Sequence, residues 1–224
     1  MSAAFLAREV RPRRGAAEWT DPVSFEVGEG EWYVVRTTPA RSGALMRLCC
    51  GLDEPAPPGR MEVLGATPGA LGRDAAFRFR RSLGVALQPD GLVSNLPLLR
   101  NLVVPLVYSG NRTPADATTR ARAVLEMLEL TAYADARPSD LPPDIRQVAA
   151  IARALAPEPR VLILEDPLNA VRSRMASAVL DRCKAAVPSA IITVFRRFEP
   201  LYDIADHLVL WDARGFVAAS EGVA

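Results

Sequence analysis

The stretch Ile151-Ala152-Arg153-Ala154-Leu155-Ala156-Pro157-Glu158-Pro159-Arg160-Val161-Leu162-Ile163-Leu164-Glu165-Asp166-Pro167 decides the fold. Its first residues close a helix expected from Ile145 to Leu155, apolar on most sides and therefore buried. Val161-Leu162-Ile163-Leu164 is a short apolar run, which reads as a strand covered on both faces. Two acids, Glu165 and Asp166, stand at its end.

Working outward, Ala190 to Phe195 reads as a second buried strand. Leu83-Gly84-Val85-Ala86-Leu87 reads as a third and ends at Gln88. Upstream, Val23, Phe25 and Val27 alternate with polar neighbours, and Gly28-Glu29-Gly30 marks a turn before the short buried strand Trp32-Tyr33-Val34-Val35. Met61 to Leu64 begins another strand, and Leu208-Val209-Leu210-Trp211 opens a hairpin that closes near Gly215-Phe216-Val217. Helical character is expected over Ala44 to Cys50, stopping at Gly51, and over roughly Arg174 to Ala186. Pro114 to Leu130 has Ala121, Val124, Leu125 and Leu128 on one face, with Thr113 as cap and Pro114 in the first turn. Arg36 to Gly43 reads as a turn-rich connection. Alternating strands and helices predict an α/β fold with a largely parallel core sheet.

The composition excludes several chemistries. Among 27 basic residues only Lys184 is a lysine, and His207 is the one histidine. A single histidine cannot supply a Ser-His-Asp site plus anything else, or a multi-histidine metal site. Three cysteines, two of them adjacent (Cys49 and Cys50), make neither a disulfide framework nor a zinc knuckle. A net charge of +1 argues against general nucleic-acid binding. No apolar run approaches the length of a membrane span. At the start, Arg8 follows the apolar residues instead of preceding them, the wrong order for a secretory signal. A cytoplasmic location with reduced thiols is expected.

These ordered anchors resemble the ATP-binding cassette (ABC) nucleotide-binding subunits of transporters, from about Val23 to Ala219. Ile151 to Pro167 is similar to the run from the helix after the signature motif into the Walker B strand. Gly30-Glu31, Leu83 to Gln88 at the Q-loop, and Ala205-Asp206 before the last hairpin also fit. Pro105 to Gly110 resembles the segment after the Q-loop in the lipoprotein-release and macrolide-export branch. The resemblance implies one P-loop NTPase-like cassette over residues 1–224. It would have a mostly parallel core sheet, an antiparallel β subdomain and a helical subdomain at roughly 89–160.

The resemblance also says where the chemistry belongs, and there the chain departs from it. A phosphate cradle needs glycines for its backbone N–H groups, a lysine for the phosphates and Ser/Thr for Mg²⁺. With Gly51-Leu52 setting the register, Arg36-Thr37-Thr38-Pro39-Ala40-Arg41-Ser42-Gly43-Ala44 lies on the pattern Gly-x-x-Gly-x-Gly-Lys-Ser-Thr. Ser42 then takes the lysine's place and Pro39 and Arg41 take glycine places. A one-residue shift puts Ala44 at the lysine instead. Glu165-Asp166 inverts the family's Asp-Glu order. Leu141-Pro142-Pro143-Asp144-Ile145 stands for the signature Leu-Ser-Gly-Gly-Gln, and its prolines and acid read as a plain helix start. Arg196 falls on the switch histidine and Arg172 on the D-loop aspartate. The adenine-stacking aromatic corresponds to Arg14 by count or to Trp19 with a shift. Gln88 alone keeps its family identity.

The expectation is a folded cassette with weak or absent ATP and Mg²⁺ binding. Its role would be structural or regulatory, on a membrane permease at the inner membrane, with a second ATP-binding subunit or a copy of itself. Docking would use the groove near Gln88 and the apolar Leu96–Leu106 segment. Two alternatives stay open: an active ATPase using Arg36 or Arg41 with Glu165 and Asp166, and a soluble interaction module in which Arg73 to Arg81 meets an acidic partner.

Overall fold

Every residue of Val161–Glu165 is buried, as the apolar run requires of a strand covered on both faces. A computed structural model describes residues 3–13, 18–88, 90–108, 112–213 and 215–218. In it this strand, β6, lies inside a six-stranded sheet. Its companions are β3 (Trp32–Arg36), β5 (Leu83–Ala86), β7 (Ser189–Val194), β8 (His207–Asp212) and β9 (Gly215–Ala218), in the order β5-β6-β7-β3-β8-β9. All neighbours are parallel except the terminal β8–β9 pair. A second, antiparallel sheet joins β2 (Val23–Gly28), β1 (Ala3–Val10) and β4 (Arg60–Val63), with β1 in the middle. The α/β fold expected from the sequence is the fold observed.

Side chains alternate across the main sheet and divide the core in two. Leu162, Leu164, Ala190 and Ile192 join one cluster with α3 (Leu98–Tyr108), α4 (Pro114–Met127), α5 (Pro143–Leu155) and α6 (Ser173–Ala186). Val161, Ile163, Ile191, Tyr33 and Val35 join the other, with α1 (Pro39–Cys49) and the antiparallel sheet. Two short helices complete the set: α2 (Arg73–Arg80) before β5, and α7 (Glu199–Ile204) before β8.

Several elements differ from expectation. β1 was not expected as a strand, because two register shifts break its pairing with β2 and hide the alternation. α1 starts at Pro39, not Ala44, since Thr38 accepts from the Arg41 N–H and Pro39 fills the first turn. α5 likewise begins at Pro143, two residues early. The apolar 96–108 stretch is largely α3, which carries Pro105 inside it. All three cysteines are buried and unpaired, and burial raises the Cys50 and Cys183 thiols to about 12.

Lys184 and His207 sit at the amino end of the parallel strands. The Lys184 ammonium donates to the Ile204 carbonyl at 2.8 Å and to Asp206 Oδ2 at 3.0 Å, and that same oxygen accepts from the Trp32 N–H at 2.7 Å. His207 Nε2 lies 3.3 Å from Glu31 Oε1. Burial pushes the Asp206 carboxyl up, but the Trp32 and Lys184 bonds outweigh it and hold it below its usual range. The Gly28 N–H, and then His207, lower Glu31.

Two outcomes follow from this packing. A Cβ added to Gly84 would lie 2.7 Å from the Ala154 carbonyl and from Pro159 and Leu162 carbons. Gly84→Ala should therefore destabilise the chain by about 1–3 kcal/mol in urea unfolding. Glu31 and Asp206 both have lowered folded values. The stability they add is therefore present above their ordinary values of 4.5 and 3.8 and is lost as pH falls through the lowered ones. Melting at stepped pH should show this loss, and Asp206→Asn should flatten it.

Candidate functional site

The carboxyl ends of β3, β6 and β7 lie side by side, because Arg36 is paired with Val194 and Glu165 with Thr193. The first turns of α1 bring Ser42 onto them. The Ser42 hydroxyl donates to Glu165 Oε1 at 2.8 Å and lies 2.7 Å from Thr193 Oγ1. The other Glu165 oxygen accepts from the Gln88 N–H at 3.0 Å. Asp166, at φ 41°, accepts from the Phe195 N–H on one oxygen and from Asn169 Nδ2 on the other. Gln88 Nε2 donates to the Asp166 carbonyl at 3.1 Å. All four side chains of the pairings (Ser42, Thr193, Glu165 and Asp166) are buried. Hydrogen bonds within the chain satisfy both carboxylates, as burial demands.

Only Thr37 and Thr38 separate β3 from α1. The Thr37 N–H donates to the Val194 carbonyl, the Ser42 N–H to the Thr38 carbonyl and the Arg41 N–H to Thr38 Oγ1. Pro39 has no N–H. The Thr38 hydroxyl donates at 2.6 Å to the carboxylate of Glu18. Arg41 turns away from the strand ends: its Nε donates to the Glu18 carbonyl, its Nη1 to the Trp211 carbonyl, and its guanidinium lies 5.6 Å from the Trp211 ring centre. The Trp211 carbonyl also accepts from Thr37 Oγ1. Arg36 donates to the Tyr202 hydroxyl at 3.4 Å.

This geometry changes the register read from the sequence. A P-loop hydroxyl and the strand-end acid share Mg²⁺, and here Ser42 is the hydroxyl that meets the acid. On that placement Arg41 would fall at the lysine, with Thr38 and Ala40 at the preceding glycines. Gly43 and Ala44 follow within α1.

Leu141 to Ile145 lead into α5, which Pro142 caps and Pro143 opens, with Asp144 accepting from the Ile145 N–H. Their helix faces Gln88 and Glu165 across a cavity of about 280 Å³ lined also by Pro143, Arg146 and Gln147. Gln147, which the sequence did not single out, bridges α5 to the loop after β6: it donates to Asn169 Oδ1 at 2.6 Å and accepts from the Ala170 N–H at 2.8 Å. Arg196 is exposed and donates to the Asn169 carbonyl. Arg172 precedes α6 without a side-chain cap. Trp19 is buried edge-on against Trp211, with ring centres 4.5 Å apart. Arg14, Ser109, Gly110 and Ala219 lie outside the described residues.

No protein-family model matches the chain. It is 31% identical over 229 residues to the macrolide export ATP-binding/permease protein MacB 1/2 of Paracoccus denitrificans (strain Pd 1222), a match that takes in 97% of this chain. The chain has the ATP-binding cassette fold. It spans about a third (34%) of the length of that relative. Among solved structures, the ATP-binding cassette MJ0796 bound to ADP and Pi matches with a TM-score of 0.82 at 21% identity, over 96% of this chain and 98% of that one. Cassette MJ1267 in its ADP conformation gives 0.77 at 18%, over 99% and 92%. CbiO1 from Clostridium perfringens gives 0.79 at 17%, over 97% and 88%. These three share the cassette fold.

The residues at these strand ends fit an ATP–Mg²⁺ complex only in part. The 2.8 Å Ser42–Glu165 spacing is close to the roughly 3 Å edge of a Mg²⁺ octahedron with bonds of about 2.0–2.1 Å, so the metal side fits. The phosphate side does not. Mg²⁺ in such sites relies on substrate phosphates for its remaining ligands, and the α1 start offers neither glycines nor a lysine to hold them. The Ser42–Glu165 bond instead joins α1 to β6. Ser42→Ala should lower unfolding stability by about 1.5–3 kcal/mol, and a double-mutant cycle with Glu165→Ala should show coupling between the two.

Proposed function

We propose that this cassette serves a membrane permease as a structural or regulatory subunit and does not turn over ATP. The observation that carries the reading is the connection between β3 and α1: the N–H groups of Thr37, Arg41 and Ser42 are bonded within the chain, and Pro39 has none. The start of α5 supports it, since Pro142 and Pro143 remove donors and Asp144 adds negative charge where the family's signature meets the phosphate of an opposite subunit. A self-dimer would carry two such sites, and a pair with an intact cassette would still set this signature against the intact P-loop.

The permease half of the reading rests on the likeness to an ATP-binding/permease protein. In this proposal residues 1–224 act as one cassette with a helical part at roughly 89–160, held at the cytoplasmic face of the inner membrane by the permease. No helix among the described residues is long and apolar enough to cross a membrane. A cleft of about 1290 Å³ between α2, α3 and α4 offers a docking place beside the 96–106 segment, lined by Phe77, Arg78, Arg81, Leu106, Tyr108 and Arg160. Its charge favours an acidic docking segment. Arg36 and Arg41, the stand-ins a divergent ATPase would need, face Tyr202 and Trp211.

In calorimetry and thermal shift at millimolar ATP, with and without Mg²⁺, the chain should gain well under 1 kcal/mol. A ligand at a hundred times its Kd would add about 2.7 kcal/mol. Phosphate release should stay at the buffer level. Turnover that disappears in Glu165→Ala and Asp166→Ala would establish the ATPase reading instead, and failure to co-purify with any permease component would remove the transport role.

A further inference from the structure

The segment before β2 lies against the start of α1. We propose that the strap Glu18–Asp21 is the cassette's own occupant of its nucleotide seat, with the Glu18 carboxylate replacing an anionic ligand at the α1 start. The proposal deepens the reading of a cassette that does not turn over ATP, and rests on it.

Three anchors hold the strap. Its carboxylate accepts from the hydroxyl of Thr38, the residue that caps α1, at 2.6 Å. Its main chain is bound by Arg41, which donates to the Glu18 carbonyl at 2.9 Å. Its ring, Trp19, is 95% removed from solvent and packed edge-on against Trp211, with the indole N–H donating to the Asp21 carbonyl at 3.0 Å. Arg41 ties the anchors together, because it also donates to the Trp211 carbonyl and lies over the Trp211 ring.

The charges explain why a carboxylate belongs there. A helix start carries partial positive charge and favours an anion, and Arg41 adds a full positive charge in the first turn of α1. Glu18 places a carboxylate against that field from within the chain. The strap is exposed at Glu18, Thr20 and Asp21 and buried only at Trp19. One aromatic contact and two hydrogen bonds at Glu18 therefore fix it, and removing the exposed carboxylate should loosen it without opening the core.

The test uses the full chain as wild type, Glu18→Gln, Glu18→Ala and Trp19→Ala, melted in constant chloride with zero to 5 mM inorganic pyrophosphate. The wild-type midpoint should not move with pyrophosphate. Both Glu18 variants should melt several degrees lower and recover part of the loss as pyrophosphate is added. Acrylamide quenching of tryptophan fluorescence should rise at least twofold in Glu18→Ala and in Trp19→Ala, since Trp19, Trp32 and Trp211 are all buried in the wild type. Glu18→Gln keeps the side chain's size and removes only its charge, so it covers the case in which Glu18→Ala fails to fold. Equal melting of Glu18→Gln and wild type, an equal pyrophosphate response in both, or unchanged quenching overturns the strap. ATP binding by the wild type also overturns the strap, whereas ATP turnover that disappears in Glu165→Ala overturns the reading on which it rests, so the two failures are told apart.

Discussion

A carboxylate at the end of a fully buried strand has to be hydrogen-bonded or it destabilises the sheet that carries it. Glu165 meets that demand with two elements at once: Ser42 from α1 on one oxygen and the Gln88 N–H after β5 on the other. These bonds join α1 to the carboxyl end of the sheet. Glu is one methylene longer than the aspartate of the family pattern. That length lets one carboxylate accept from α1 with one oxygen and from Gln88 with the other. Asp166 then turns into a left-handed conformation and is held by Phe195 and Asn169. The inverted acid pair thus works as a joint between the layers.

The same economy governs the start of α1. A phosphate cradle is a loop whose N–H groups are left without partners inside the chain so that a ligand can take them. Here the loop has shrunk to Thr37 and Thr38, and a helix capped by Thr38 with Pro39 in its first turn takes up the rest. The Arg41 N–H goes to the Thr38 hydroxyl and the Ser42 N–H to the Thr38 carbonyl, donors that a cradle would offer to an anion. The two arrangements compete for the same donors, and proline and threonine in place of glycine tip the balance to the helix.

The buried strands, the acid pair, Gln88 and the capped helix at Pro114 were legible because periodicity and capping are local signals. The α1 start was written in the sequence as Thr38-Pro39 but outweighed by the turn residues around it. β1 was hidden by register shifts on either side of Ala7, with Glu9 at positive φ. Gln147 and Glu18 were invisible for another reason. Their partners are 22 or 23 and 20 residues away, and nothing in the spacing marks a pairing that only the folded chain creates.

The scarcity of lysine takes on a structural meaning at Arg41. A lysine offers a compact charge on a flexible stem, suited to reaching a phosphate; a guanidinium is a planar fork that binds two acceptors and lies over an aromatic ring. Arg41 uses all of this geometry, with two carbonyl acceptors on different segments and the Trp211 ring beneath it. An ammonium there could keep the charge but not the fork. The single lysine, Lys184, is bound at the opposite end of the sheet to Ile204 and Asp206, where a point charge suffices. Arg41 is therefore a cross-link between α1, β8 and the segment before β2.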